Sequence, residues 1–121
     1  MAITLTNLAR NAAADAVCAT LNGGTIEFQT AGGAEVATVT FGTPAFGAAV
    51  AGVATANAIT ADPSVTGGTT TQFVARTSGG DPVFSGTVGL TGADINITST
   101  TLAATERLEV DSFTYTQPAS L

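Results

Sequence analysis

Residues 35–60, EVATVTFGTPAFGAAVAGVATANAIT, hold two extended runs on either side of a corner rich in glycine and proline. In the first run Ala37, Val39 and Phe41 alternate with Thr38 and Thr40, the period of two that a half-buried strand requires. In the second, Val53, Thr55, Asn57 and Ile59 alternate with Ala54, Ala56 and Ala58. That gives one nearly flat alanine side, against which another sheet or chain can lie close. Gly42, Pro44, Gly47 and Gly52 break any helix that the intervening alanines would start. A chain organised around this stretch is a β protein.

The flanks agree. Twenty-three Thr and 23 Ala make up more than a third of the 121 residues, and threonine, branched at Cβ, suits a pleated surface. Ile3-Thr4-Leu5 reads as an extended arm, after which Thr6 or Asn7 caps a helix over 8–21, LARNAAADAVCATL, that ends at Asn22-Gly23-Gly24. Its apolar stripe is Ala13, Ala14, Val17, Cys18 and Leu21, while Arg10, Asn11 and Asp15 lie elsewhere on the helix, and Arg10 and Ala14 with Asp15 follow the spacing of an exposed face. This helix is expected to plug one side or end of a barrel or sandwich.

Thr25–Thr30, with Ile26 and Phe28 inward and Glu27 and Gln29 outward, turns at 31–34 into Val36–Phe41 and makes a hairpin. The segment 64–69 is the most loop-like in the chain. Thr70–Arg76 and Pro82–Val88 make a second hairpin around Ser78-Gly79-Gly80-Asp81, and Ile95 and Ile97 share a side of a short strand. In LEVDSFTYTQ, Leu108 and Val110 share one parity and Phe113 and Tyr115 the other, which predicts a bulge or a crossing between sheets near Asp111-Ser112. The expected fold is therefore a single mainly β domain over 1–121. It comprises an N-terminal arm (1–6), one helix (8–21), a β-sandwich or jelly-roll-like barrel of about seven strands (25–117) and a frayed tail (118–121).

The residue inventory excludes more chemistry than it suggests. With no His, Ser-His-Asp and Cys-His arrangements and zinc sites of ordinary composition cannot form. Nucleic-acid binding needs clustered cations, and Arg10, Arg76 and Arg107 are the only three in a chain of net charge −6, which also disfavours an acidic membrane surface. No Gly-rich loop carries a phosphate-binding Lys. No apolar run spans a membrane and no basic leader opens the sequence, so synthesis and first folding are expected in the cytoplasm.

Cys18 reads as a packing residue. Glu106, Glu109 and Asp111 are the tightest carboxylate group, and Glu109 and Asp111 share a strand face as a glycosidase pair could. They lack tryptophan partners, though, and Arg107 neutralises them. Asp94 and Asn96 offer two oxygens where calcium takes six to eight, and Asn96-Ile97-Thr98 is a glycosylation sequon, relevant only to a secreted chain. No catalytic, cofactor-binding or metal-ligating residue is assigned, no cofactor is expected, and the chain is not expected to be an enzyme.

With 10% charged residues, the exterior is largely Thr, Ser, Asn, Gln and Gly, which suits a protein docked in an assembly. TFGTPAFGAAVAGVATANAIT (40–60), FSGTVGLTGADINITST (84–100), the terminal VDSFTYTQPAS and the opening LARNAAADAV resemble a family of small phage and prophage proteins encoded among virion genes. The resemblance covers nearly the whole chain. It implies a virion structural protein, a head decoration (cement) protein made in the bacterial host cytoplasm, bound to the major capsid protein and homo-oligomeric, as a trimer. Gly42, Pro44, Gly47, Gly86, Gly89 and Gly92 then shape turns. The alternatives are a neck, tail or fibre-associated virion component and a carbohydrate-binding module; against the latter stands the low aromatic content, 6%, mostly Phe at core parity.

Overall fold

The structure, a computed structural model, describes residues 3–118. The predicted tail, apart from Pro118, and the first two residues of the arm lie outside the described residues. The fold is mainly β, with a curled five-stranded sheet forming a half-barrel and one N-terminal helix, within the expected sandwich- or barrel-like class.

Helix α1 spans Asn7–Ala19, two residues shorter at its C-terminal end than expected. Thr6 is the N-cap, its hydroxyl oxygen accepting from the Ala9 N–H at 3.4 Å. The helix stops early because the Thr20 hydroxyl donates back to the Val17 carbonyl at 2.6 Å, while the next turns tighten to Leu21 N–H to Cys18 O (3.0 Å) and Gly24 N–H to Leu21 O (2.8 Å). Leu21 nevertheless stays on the buried stripe with Ala14 and Cys18.

Among the described residues nine strands follow, where about seven were expected, because two of them, paired with each other, are two-residue segments that no alternation announces. They are β1 (Thr25–Gln29), β2 (Glu35–Thr40), β3 (Val53–Thr55), β4 (Gly68–Thr69), β5 (Gln72–Arg76), β6 (Pro82–Gly89), β7 (Ile95–Asn96), β8 (Thr101–Leu102) and β9 (Thr114–Thr116). The main sheet has the order β2-β1-β5-β6-β7; β3 pairs with β9, and β4 with β8. The 64–69 segment is thus not all loop. Both expected hairpins form, with Ile26 opposite Val39 and Ala75, and Phe28 opposite Ala37 and Phe73. That register puts Ala37, Val39, Ile26, Phe28, Phe73 and Ala75 on one buried face. Gln29, expected to face water, is covered: the register shifts at Phe28/Gln29, and its amide bonds Glu27 Oε1 (2.8 Å) and accepts from Gln72 (3.2 Å).

The second extended run is a strand only over β3. Beyond it, single bridges join Phe46 to Ala56 and Thr40 to Thr60. Its alanine side divides accordingly: Ala54 is buried, Ala56 partly buried and Ala58 exposed. Val50 and Val53 exchange both backbone hydrogen bonds at 2.9 Å around Ala51 (φ 51°) and Gly52 (φ 79°), a two-residue turn with both central residues left-handed. Alanine is a poor occupant of that conformation and asparagine a good one. Ala51→Asn is therefore expected to raise stability by about 0.5–1 kcal/mol in urea unfolding.

The β6–β7 pairing is parallel across only the 90–94 loop, a connection far shorter than parallel strands usually need. Side chains hold it: Asp94 Oδ2 accepts from the Thr87 N–H (2.9 Å), the Asp94 N–H donates to Thr87 Oγ1 (3.1 Å), and Asn96 Oδ1 accepts from the Ala93 N–H (3.0 Å). Ile95 and Ile97 are both buried. The phase switch near Asp111-Ser112 is a change of partner. Leu108 bridges to Asp62, whereas Thr114–Thr116 pair with β3, and Leu108, Val110 and Phe113 are all buried.

Candidate interaction surface

Helix α1 packs against β3 and β9, and its polar side chains do the docking. Asn11 Oδ1 accepts from the Gly52 N–H, Asp15 Oδ1 from the Ala49 N–H and Asn22 Oδ1 from the Ala45 N–H, each at 2.8 Å. Arg10 donates through Nε (3.1 Å) and Nη2 (3.0 Å) to the Gln117 carbonyl. Two of the acceptors stand on the helix and Asn22 just past its end, and they run in the opposite sense to the corner loop, so the loop amides of Gly52, Ala49 and Ala45 each receive a side-chain oxygen. Gly52 suits this arrangement: its φ is 79°, and a Cβ there would lie 2.5 Å from the Arg10 guanidinium, which would have to swing off the Gln117 carbonyl.

The expectation that Arg10 and Ala14 with Asp15 mark an exposed face is corrected for two of the three: Ala14 is buried and Arg10 half-buried, whereas Asp15 is exposed and still bonds the loop, and Asn11 is half-buried. The legible signal was Asn11 and Asp15 one turn apart on a helix that must cover an Ala/Gly loop with few carbonyl partners of its own.

What remains outward is apolar. Leu8 is 84% exposed, Ala9, Ala12, Ala16 and Ala19 are exposed with it, and on the docked loop Val50 is 74% exposed. A helix in a freely dissolved protein shows water its charged side. Here the outward face carries only Asp15 at its border.

The carboxylates 106–111 occupy a different region and are solvated. Arg107 bonds Glu109 Oε1 through Nε (3.0 Å) and Nη2 (2.8 Å) with both side chains more than half exposed, and Glu106 Oε1 takes the Ala103 N–H at 3.1 Å. Such a pair contributes little to stability. The double variant Glu109→Gln/Asp111→Asn is expected to change stability by less than about 0.5 kcal/mol, checked by thermal unfolding and circular dichroism. Among the described residues no three His, Cys, Asp or Glu side chains gather to hold a metal ion, and no helix is long and apolar enough to cross a membrane.

Cys18 is buried, as expected, and burial, reinforced by the nearby Asp15 charge, pushes its thiol up from 9.0 to about 11. The thiolate is the reactive form, so in the folded protein Cys18 should resist iodoacetamide at pH 8 and react at the ordinary rate once urea unfolds the chain. Because the folded state disfavours the thiolate, the stability this group contributes is complete below pH 9 and lost as pH rises towards about 11. Burial, and then the Cys18 charge, likewise raise the Tyr115 hydroxyl above its ordinary value.

A cleft of about 390 Å³ lies beside β6 and β9, bordered by Ser85, Ala93, Asp94, Thr114 and Thr116, with Phe73, Phe84, Phe113 and Tyr115 beneath. Phe84 and Tyr115 stack on each other, ring centroids 5.2 Å apart at 22°, and Tyr115 donates its hydroxyl to Gln117 Oε1 at 3.0 Å. No family model, curated protein or solved structure matches the chain.

Proposed function

We propose that this chain is a phage virion structural protein, a decoration (cement) protein that binds and stabilises the assembled head lattice. The observation that carries the reading is the inverted helix α1, whose Arg10, Asn11 and Asp15 side chains bond the rest of the molecule while Leu8, Ala9, Ala12, Ala16 and Ala19 face outward. Such a face costs little to desolvate and lets a neighbouring backbone approach closely, whereas a charged face would have to be paired on docking. The resemblance of residues 40–60 and 84–100 to small virion proteins points the same way.

A protein that binds the closed lattice and not the loose subunits stabilises the shell by mass action. Closed trimers at three-fold lattice points, with the major capsid protein beneath, fit this mode because cyclic symmetry limits runaway association. A sugar-binding role is less well served, since Phe84 and Tyr115 spend their faces on each other. Quantitative mass spectrometry of purified particles tests the reading. Hundreds of copies per particle support decoration, a handful would move the protein to the neck or tail, and absence from mature particles would end the proposal.

A further inference from the structure

The aromatic cleft separates two strand edges that have backbone groups to spare. In β6 the Val88 N–H donates to the Thr71 carbonyl, and alternation along the β5 register turns the amides of Phe84, Gly86 and Val88 towards β5 and those of Ser85 and Thr87 away from it. The Thr87 N–H is taken by Asp94, but among the described residues the Ser85 N–H and carbonyl have no partner. In β9 the Phe113 carbonyl accepts from Ala56 and the Gln117 N–H donates to Gly52, so residues 113, 115 and 117 face β3. Thr114 and Thr116 face the other way, and their backbone groups too find no partner among the described residues. Ser85, Thr114 and Thr116 all border the same cleft. β6 and β9 do not pair with each other, so the half-barrel has an open seam there.

We propose that this seam is a strand-acceptor site, closed by an extended segment of the capsid protein that the chain decorates; the identity of the donor rests on the function proposed above. Amides and carbonyls presented from both walls, above a floor of Phe84, Phe113 and Tyr115, select a polypeptide in extended form over a sugar or a compact ligand. Alternate residues of that segment point at the rings and are apolar. Asp94, which bonds Thr87 through Oδ2 and stands at the border of the cleft, favours a Lys or Arg at that end of the segment. The seam is distinct from the helix face: one supplies register, the other area.

Hydrogen exchange resolved to single amides tests this, on the protein alone, on the protein bound to capsids, and with a capped heptapeptide alternating Val and Thr and ending in Lys. In the free protein the Ser85, Thr114 and Thr116 amides should exchange quickly. Capsid binding should slow them at least tenfold, and the peptide should do so at millimolar concentration while its N-methylated analogue does not. Ser85→Pro, which removes an outward N–H that no other group uses, should abolish this protection, and Ser85→Ala should retain it. Capsid binding without protection at these three amides would overturn the seam while leaving decoration standing. Peptide protection in a protein that fails to bind capsids would overturn the decoration reading and the assigned donor with it, but not the acceptor edge. No protection by either would overturn the site itself.

Discussion

Phe113→Ala is expected to destabilise the fold by about 3–5 kcal/mol and to lower the melting temperature by roughly 10–20 °C. Phe113 is the hub of the core: its ring centroid lies 5.7 Å from Phe73, 5.9 Å from Phe46, 6.1 Å from Phe84 and 6.5 Å from Phe41. Those four rings come from β5, the corner loop, β6 and the end of β2, so truncation leaves a cavity that no single element can collapse to fill. The residue is 4% exposed, and its loss removes edge-to-face contacts as well as buried area. Since domains of this size are stable by only about 5–15 kcal/mol, urea unfolding should show a midpoint near or below half that of the parent. Tyr115→Phe, at the outer end of the same ring cluster, removes only a half-exposed hydrogen bond and serves as the comparison.

The second large effect is expected where the helix hands over to the sheet. A Cβ on Gly24 would lie 2.1 Å from the Arg76 carbonyl oxygen and 3.0 Å from that of Leu21, both backbone atoms without a flexible end to swing aside. The glycine is held on both sides, its N–H by Leu21 O (2.8 Å) and its carbonyl by the Phe41 N–H (2.9 Å). Gly24→Ala must therefore push β1 away from β5 or break the turn, at a cost of about 2–4 kcal/mol. Gly79→Ala, whose nearest neighbour would be the Thr77 hydroxyl oxygen at 3.7 Å, should be close to neutral. A small loss at Gly24 equal to that at Gly79 would show that the helix–sheet corner yields more than its contacts indicate.

Local chemistry made much of this fold legible. TIEFQT-AGGA-EVATVTF carries a hairpin in its alternation and its glycines, Thr6-Asn7 announces the helix start, and the parity change between Val110 and Phe113 marks where the chain changes partner. What escaped was set by long-range satisfaction of backbone groups. Asn11 and Asp15 read only as residues off the apolar stripe, and Asn22 as part of the helix stop, until a loop more than twenty residues away brings its amides to them. The parallel β6–β7 pair depends on one aspartate standing in for a strand, and a two-residue pairing such as β4–β8 has no period to detect. The outward Leu/Ala face was invisible for the same reason: helical periodicity gives the stripe, but not which polar neighbours will be drawn inside. The aromatic cleft was hidden because Phe84 and Tyr115 sit at core parity, and only the missing β6–β9 pairing opens the space beside them.

The Arg10 clamp on the Gln117 carbonyl carries a consequence for the order of events during synthesis. The helix leaves the ribosome 107 residues ahead of the group that locks its opening turn. Until residue 117 emerges, Arg10 has no Gln117 carbonyl to hold, and the apolar outer side of the helix takes a fixed pose only after the β3–β9 ribbon has zipped. A product truncated before residue 117 would therefore present that side without its latch.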